Sequence, residues 1–223
     1  MRVAVIVPTL DEARCLERRL PAARAAADEL IVSDGGSTDG TVELARSLGA
    51  VVVTGSPGRG VQLNRGAACA SAPLLCFLHA DSTLPPGAAA AMRGAVAAGA
   101  LGGGFALRFE DDRPLLRLGA ILIELRTRLT RIPLGDQGQF VTRDAFTALG
   151  GFREWPILED LDFFRRLKRL GATALLPAPV TTSGRRFLSQ GILRTVATNW
   201  VIWLLYFCGV PPTRLARLYR PVR

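Results

Sequence analysis

Residues 30–41 read LIVSDGGSTDGT. An apolar, β-branched run stops on Ser33 and Asp34, two glycines follow, and Ser37, Thr38 and Asp39 stand where a helix needs capping acceptors. The stretch is a buried strand passed through a turn into a helix, with a carboxylate at the strand's carboxyl end. The same rhythm recurs on both sides. Upstream, RVAVIVP (2–8) is a strand, followed by a helical DEARCLERRLPAARAAADE that Pro21 is expected to break. Downstream, STDGTVELARSLG is a helix closed by Gly49, AVVVTG (50–55) a strand and GVQLNRGAACAS a short helix. PLLCFLH (73–79) is a fourth strand and PPGAAAAMRGAVAAG an Ala-rich helix. Alternating βαβα units of this kind make an α/β fold: a mostly parallel, Rossmann-like sheet with helices on both faces. The second half is less regular, with strands expected near 104–109, 139–143 and 172–177 and helices near 114–131, 158–170 and 190–207.

Open parallel sheets bind ligands at the carboxyl ends of their strands. Here those ends carry Pro8-Thr9-Leu10-Asp11-Glu12, Ser33-Asp34-Gly35-Gly36-Ser37 and His79-Ala80-Asp81-Ser82. A carboxylate after a buried strand is costly unless it has a partner or a task. Hard oxygen donors suit Mg²⁺ or Mn²⁺, and those ions suit a diphosphate. Asp81 also reads as a turn residue before Pro85-Pro86. The glycine-rich GSPGRG (55–60) is neither a dinucleotide fingerprint nor a P-loop, although its Arg59 can reach a phosphate.

PILEDLDFFRRLKRLG (156–171) is an amphipathic helix with Glu159, Asp160 and Asp162 in its first turn. The helix dipole alone favours acids there, and it equally favours an ionised carboxylate acting as a base. In RIPLGDQGQF, Asp136 and Gln137 sit in a loop, placed either to position a sugar or acceptor or as ordinary loop residues. Trp155 is read as stacking on a sugar face or as core.

The length of 223 residues, with 49% hydrophobic residues, fits one folded domain and excludes a disordered chain. The N-terminus is apolar only briefly before Asp11 and Glu12, so no signal peptide is expected, and four unpaired cysteines suit a reducing cytoplasm. The net charge of +9 is uneven: eleven Lys and Arg and no acid follow Asp162. That asymmetry points to an anionic partner (nucleic acid, phosphorylated substrate or membrane) or to a solvated basic face. A nucleic-acid module would interleave its aromatics with basic residues on a sheet; here they cluster on an apolar helix, so nucleic acid is not expected.

VPTLDE, LIVSDGGSTDGT, HADS and LEDLDFFRRLKRLG, in this order and spacing, resemble the family 2 glycosyltransferases of the GT-A fold over residues 1–185. GDQGQF and SGRRF are similar to a small bacterial branch labelled arsenosugar-biosynthesis-like. The resemblance implies a GT-A domain at 1–185, with a nucleotide-sugar-binding half (1–110) and an acceptor half (111–185), followed by a basic, aromatic helical tail (186–223). It implies an inverting, hexosyltransferase-type transfer from a UDP- or GDP-sugar to a hydroxyl acceptor, assisted by Mg²⁺ or Mn²⁺. By the same resemblance Pro8, Thr9 and Glu12 line the nucleoside pocket, Asp34 binds the base edge and Asp39 closes its loop. Arg59 and Asn64 lie near the nucleotide, Ala80 and Asp81 end the family's Asp-x-Asp motif with Asp81 on the metal, and Glu159-Asp160 is the Glu-Asp pair with Asp160 as base. Two positions depart from the pattern. His79 replaces the first Asp of Asp-x-Asp, and no later histidine is available to the metal. Rival readings are a sugar-phosphate nucleotidyltransferase, whose glycine-rich signature after the first strand is absent, and a catalytically inactive nucleotide-binding protein.

TVATNWVIWLLYFCGVPPT (195–213) is uncharged but interrupted by Asn199 and Pro211-Pro212, so a membrane span is not expected. Three coverings are open for its apolar face: a membrane surface at the inner face of the membrane, a second copy of the chain, or the core.

Overall fold

The computed structural model describes residues 1–219; Arg220 and Arg223 of the basic tail lie outside the described residues. The elements are β1 (Val3–Thr9), α1 (Ala13–Ala25), β2 (Glu29–Asp34), α2 (Thr41–Ser47), β3 (Val51–Thr54), α3 (Arg59–Cys69), β4 (Leu74–Phe77), β5 (Ser82–Thr83) and α4 (Ala88–Ala97). They continue with β6 (Gly102–Phe109), α5 (Pro114–Thr130), a 3₁₀ turn at Gly135–Gln137, β7 (Gln139–Thr142), α6 (Arg143–Ala148), α7 (Glu159–Leu170), β8 (Thr173–Thr182), α8 (Arg185–Gln190), α9 (Ile192–Phe207) and α10 (Pro212–Leu215).

The strands form one sheet in the order β3-β2-β1-β4-β7-β6-β8-β5. β1, β2, β3 and β4 pair in parallel, as do β6 and β8, while β7 runs antiparallel between β4 and β6. Strands buried on both faces need no alternation, which is why VAVIV and LLCF read as continuous apolar runs. One apolar layer, with Leu16, Leu20 and Met92, covers one face of the sheet; the other, with Leu63, Phe146, Phe163 and Leu167, covers the opposite face. Gly66 has no side chain because a Cβ there would stand 2.5 Å from Ile6, so α3 packs tightly on β1.

Three expectations are corrected. Pro21 does not break α1: the helix runs through it to Ala25, with Pro21 and Glu17, one turn earlier, both on the exposed face. The N-cap of α2 is Gly40 rather than Ser37, Thr38 or Asp39; Asp39 instead accepts the Thr41 amide at 3.0 Å and the Thr41 hydroxyl. β8 runs to Thr182 despite Pro177 and Pro179, because a bulge opposite Phe105 and Ala106 shifts the register from Leu176 to Pro179.

Candidate active site

The register of β1 and β2 sets Thr9 opposite Asp34, and the Thr9 hydroxyl donates to the Asp34 carboxylate at 2.9 Å. The other Asp34 oxygen accepts the amides of Gly36 and Ser37, each at 2.8 Å, while the Ser37 hydroxyl donates to the same oxygen as Thr9. Burial opposes ionisation of Asp34, but these donors outweigh it and hold the carboxyl below the usual range. Asp34 therefore organises the loop from inside; its bonds in this structure are all internal. Gln62 and Arg65 fasten the same strand ends. Gln62 donates to the carbonyls of Thr9 and Ser33, and Arg65 to those of Asp34 and Ser56. Neither was visible in the sequence, since only tertiary placement sets α3 beneath the strand ends. Pro8, half-buried, precedes Thr9 at the end of β1.

After β4 the chain passes through His79 and a turn at Ala80-Asp81 closed by the Ser82 amide on the His79 carbonyl. Ala80 is buried, and burial first, with Glu12 second among the raising causes, pushes the Asp81 carboxyl up, while Arg185 and Arg19 pull it down. Arg185, the first residue of α8, stands in the SGRRF segment, and its pairing was not visible in the sequence. One of its guanidinium nitrogens stands 3.1 and 3.3 Å from the two Glu12 oxygens and 3.8 Å from Asp81. A cation thus bridges two carboxylates from β-strand ends far apart in sequence.

The Asp160 carboxylate is held at 2.7 Å by the Gly135 amide on one oxygen and at 2.7 Å by its own neighbour's amide, Leu161, on the other. Each oxygen keeps a lone pair for a further donor. Leu158, just before it, takes φ 65°, a left-handed conformation that costs a side-chain-bearing residue about 1–2 kcal/mol. Packing of Leu158 against two apolar clusters maintains it, and it aims the first turn of α7 into the site. Gly135 is where the parts meet: a Cβ there would lie 2.5 Å from His79 Nε2 and 3.2 Å from Asp160 Oδ2. Burial, with Arg59 nearby, pushes His79 down to about 3, so its imidazole is neutral. Glu159 is fully buried, paired with Arg59 at 3.2 Å through one oxygen, while the other has no hydrogen-bond partner. Burial raises the Glu159 carboxyl, Arg59 opposes this, and the nearby Asp160 reinforces it.

Asp136 sits in the 3₁₀ turn with one sealed oxygen unpartnered; burial pushes it up to about 6, with Arg126 pulling down and Asp160 and Asp81 pushing up. Asp81, Asp136 and Asp160 therefore share one electrostatic environment. Gln137 does not face it. Its carbonyl accepts from Thr127, Leu134 and Arg126 and its amide donates to Phe105, so it pins the turn to α5 and β6. Asn64 is likewise structural: its amide donates to the Phe152 carbonyl at 2.8 Å and accepts the Phe152 amide at 2.9 Å, tying α3 to the Gly151-Phe152 loop. Trp155 is neither in the core nor free; it is half-buried between Arg153 and Tyr206 of α9.

Among the described residues no group of three or more His, Cys, Asp or Glu is spaced to hold a metal by itself. The residues do fit a Mg²⁺ or Mn²⁺ shared with a diphosphate. Asp81 is a mostly buried carboxylate whose neighbour in this structure is a cation, Arg185, with the positive charge of Arg19 also acting on it.

No curated protein sequence matches the chain. Among solved structures, glucosyl-3-phosphoglycerate synthase from Mycobacterium tuberculosis, in complex with Mn²⁺, UDP and glucosyl-3-phosphoglycerate, superposes with a TM-score of 0.64 at 25% identity, covering 94% of this chain and 81% of that one. A mannosyltransferase from Pyrobaculum calidifontis, in complex with GDP-Man and Mn²⁺, gives a TM-score of 0.58 at 22% identity over 82% of this chain and 56% of its own length. S. aureus TarS 1–349 gives 0.62 at 18% identity over 88% of this chain and 64% of its own. These last two likenesses speak to the fold. The sequence profile described as "Glycosyl transferase family 2" matches residues 4–153, which contain the Thr9, Asp34 and Asp81 strand ends just described and stop short of Glu159-Asp160. With most of the chain inside that match and the strand-end site in place, this protein belongs to glycosyl transferase family 2 and is a glycosyltransferase.

Proposed function

We propose that the protein transfers a sugar, with inversion, from a UDP- or GDP-sugar to a hydroxyl acceptor. The observation carrying this reading is the Gly135 junction, where the Asp160 carboxylate and the His79-Ala80-Asp81 loop come together at the ends of the central strands. Residues 1–110 bind the donor and 111–185 the acceptor, with 186–223 as a tail. The nucleoside lies over Pro8, Thr9 and the loop organised by Asp34 and Asp39. Asp81 would hold the divalent ion, and Mg²⁺ or Mn²⁺ would supply positive charge to the departing diphosphate; the similar glucosyl-3-phosphoglycerate synthase, in complex with Mn²⁺ and UDP, supports a divalent ion beside the nucleotide.

Transfer passes through an oxocarbenium-like state in which the leaving diphosphate gains negative charge. Arg185 leaves Glu12 and Asp81 and turns its guanidinium to that charge, and Arg59 flanks it from α3. Asp160 accepts the acceptor hydroxyl's proton through a lone pair that Gly135 and Leu161 leave open. Asp136 positions the acceptor beside it. The enzyme works in the cytoplasm at the inner face of the membrane, and residues 195–213 meet a membrane surface or a second copy of the chain.

The test is thermal unfolding with a panel of nucleotide sugars, each with and without Mn²⁺. A ligand at 100 times its Kd stabilises the fold by about 2.7 kcal/mol. A shift with a UDP- or GDP-sugar that grows with Mn²⁺ is expected. No shift with any of them contradicts the reading.

A further inference from the structure

We propose that α5 and α9 together form a docking surface for an anionic lipid bilayer. This builds on the membrane contact proposed for residues 195–213 and adds a second helix that the tail's own pattern does not contain. On α5, Leu115, Leu118, Leu122, Leu125 and Leu129 are all exposed, Leu129 at 77%. Their spacing alternates three and four, which places them on one stripe of the helix. The opposite side of α5 is already used: Leu116, Ala120 and Ile123 pack with Leu107 and Phe109 of β6 and with Phe187 and Ile192 of the tail. The helix is therefore apolar on two faces, and only one is covered by the fold.

α9 lies against α5 and shows the same split. Ile202 is buried with Ile157 and Leu215, whereas Leu193, Trp200, Leu204 and Phe207 are exposed. Two neighbouring helices thus present large side chains to solvent on a scale that monomers rarely leave uncovered. Neither is a span, since among the described residues no helix is long and apolar enough to cross a membrane.

Charge selects the occupant. The acids near α5 are taken: Asp111 by Arg113, Asp112 by Arg117, and Glu124 by Arg128. Around α9, Arg194, Arg214 and Arg217 belong to a segment with no acidic residue at all. A second copy seated symmetrically on this surface sets basic residue against basic residue. An anionic bilayer neutralises them, takes up the leucines and tryptophan at its interface, and supplies the two signals that stable peripheral anchoring needs.

The test is co-sedimentation of the full chain with vesicles of phosphatidylcholine alone and of phosphatidylcholine mixed with phosphatidylglycerol. Wild type, Leu118→Glu/Leu125→Glu and Trp200→Glu/Leu204→Glu are compared at low and high salt, with sedimentation velocity in parallel. All four substituted residues are exposed, so the variants are expected to fold and to keep the donor-induced thermal shift. Wild type should bind the anionic vesicles only, salt should weaken binding, and each double variant should lose at least tenfold in partition. Wild type left in the supernatant with anionic vesicles overturns the proposal, as does a dimer that the α5 variant dissociates. If the α9 variant loses binding and the α5 variant does not, the tail contact stands and the composite surface is overturned.

Discussion

Replacing Arg185 by Ala separates its two roles. In this structure its guanidinium stands 3.1 Å from Glu12 and 3.8 Å from Asp81. Opposite unit charges at about 4 Å attract by about 4 kcal/mol at an effective dielectric of ~20, but Arg185 is 39% exposed, and pairs open to water return no more than about 1 kcal/mol. The fold should therefore lose about 1 kcal/mol or less. Donor binding should suffer more. A charged hydrogen bond contributes about 1.5–3 kcal/mol, so losing the guanidinium's contact with the diphosphate weakens the donor by about tenfold to a hundredfold. The donor-free protein should move the other way. With the guanidinium gone, Asp81 has lost a neighbouring cation that holds its carboxyl down, and it should bind Mn²⁺ more tightly than wild type. Calorimetry of nucleoside diphosphate and of Mn²⁺ separately, on Arg185→Ala and Arg185→Lys, reads both effects; Lys keeps the charge without the fork and should lie between. Donor affinity within twofold of wild type together with unchanged Mn²⁺ binding refutes the reasoning.

Three further outcomes are expected. Asn64→Ala should cost about 1–3 kcal/mol of stability by stranding the Phe152 backbone groups, yet leave donor affinity within twofold, as measured by chemical denaturation and calorimetry. Asp136 has a folded-state carboxyl pushed up to about 6 from an ordinary 3.8; its stabilising contribution is complete below about pH 4 and is lost as pH rises through 6. Asp136→Asn should remove that decline, so its unfolding free energy should be flatter than wild type's between those limits. His79→Asn should reduce turnover about tenfold while Mn²⁺ affinity in the presence of donor stays within severalfold; a hundredfold loss of metal affinity makes His79 a ligand.

The sheet was legible where physics is local. β1, β2 and β4 are buried on both sides, so their sequences are unbroken apolar runs, and the polar residues that end them mark the binding edge. β5 was not legible, because two residues carry no period, and the end of β8 was hidden by two prolines whose bulge depends on β6. The same division holds in the site. Asp81 and Asp160 announce themselves as acids at a strand end and a helix start. The pairing of Arg185 with Glu12 joins residues 173 positions apart, and no spacing rule reaches across that distance. Asn64 and Gln137 sit in motif-like places, yet their amides are used on nearby backbone and side chains. A motif position alone does not tell a clamp from a ligand.

The role of Asp160 is read most directly by single-turnover release of nucleoside diphosphate from the preferred donor, with a pooled extract of hydroxyl-bearing small molecules as acceptor, in wild type and Asp160→Asn. Asn keeps the shape and can still accept from the Gly135 amide, but it takes no proton. The account predicts that transfer falls by about three orders of magnitude or more, ~4 kcal/mol in barrier, while donor affinity stays near wild type. Turnover retained within tenfold contradicts it.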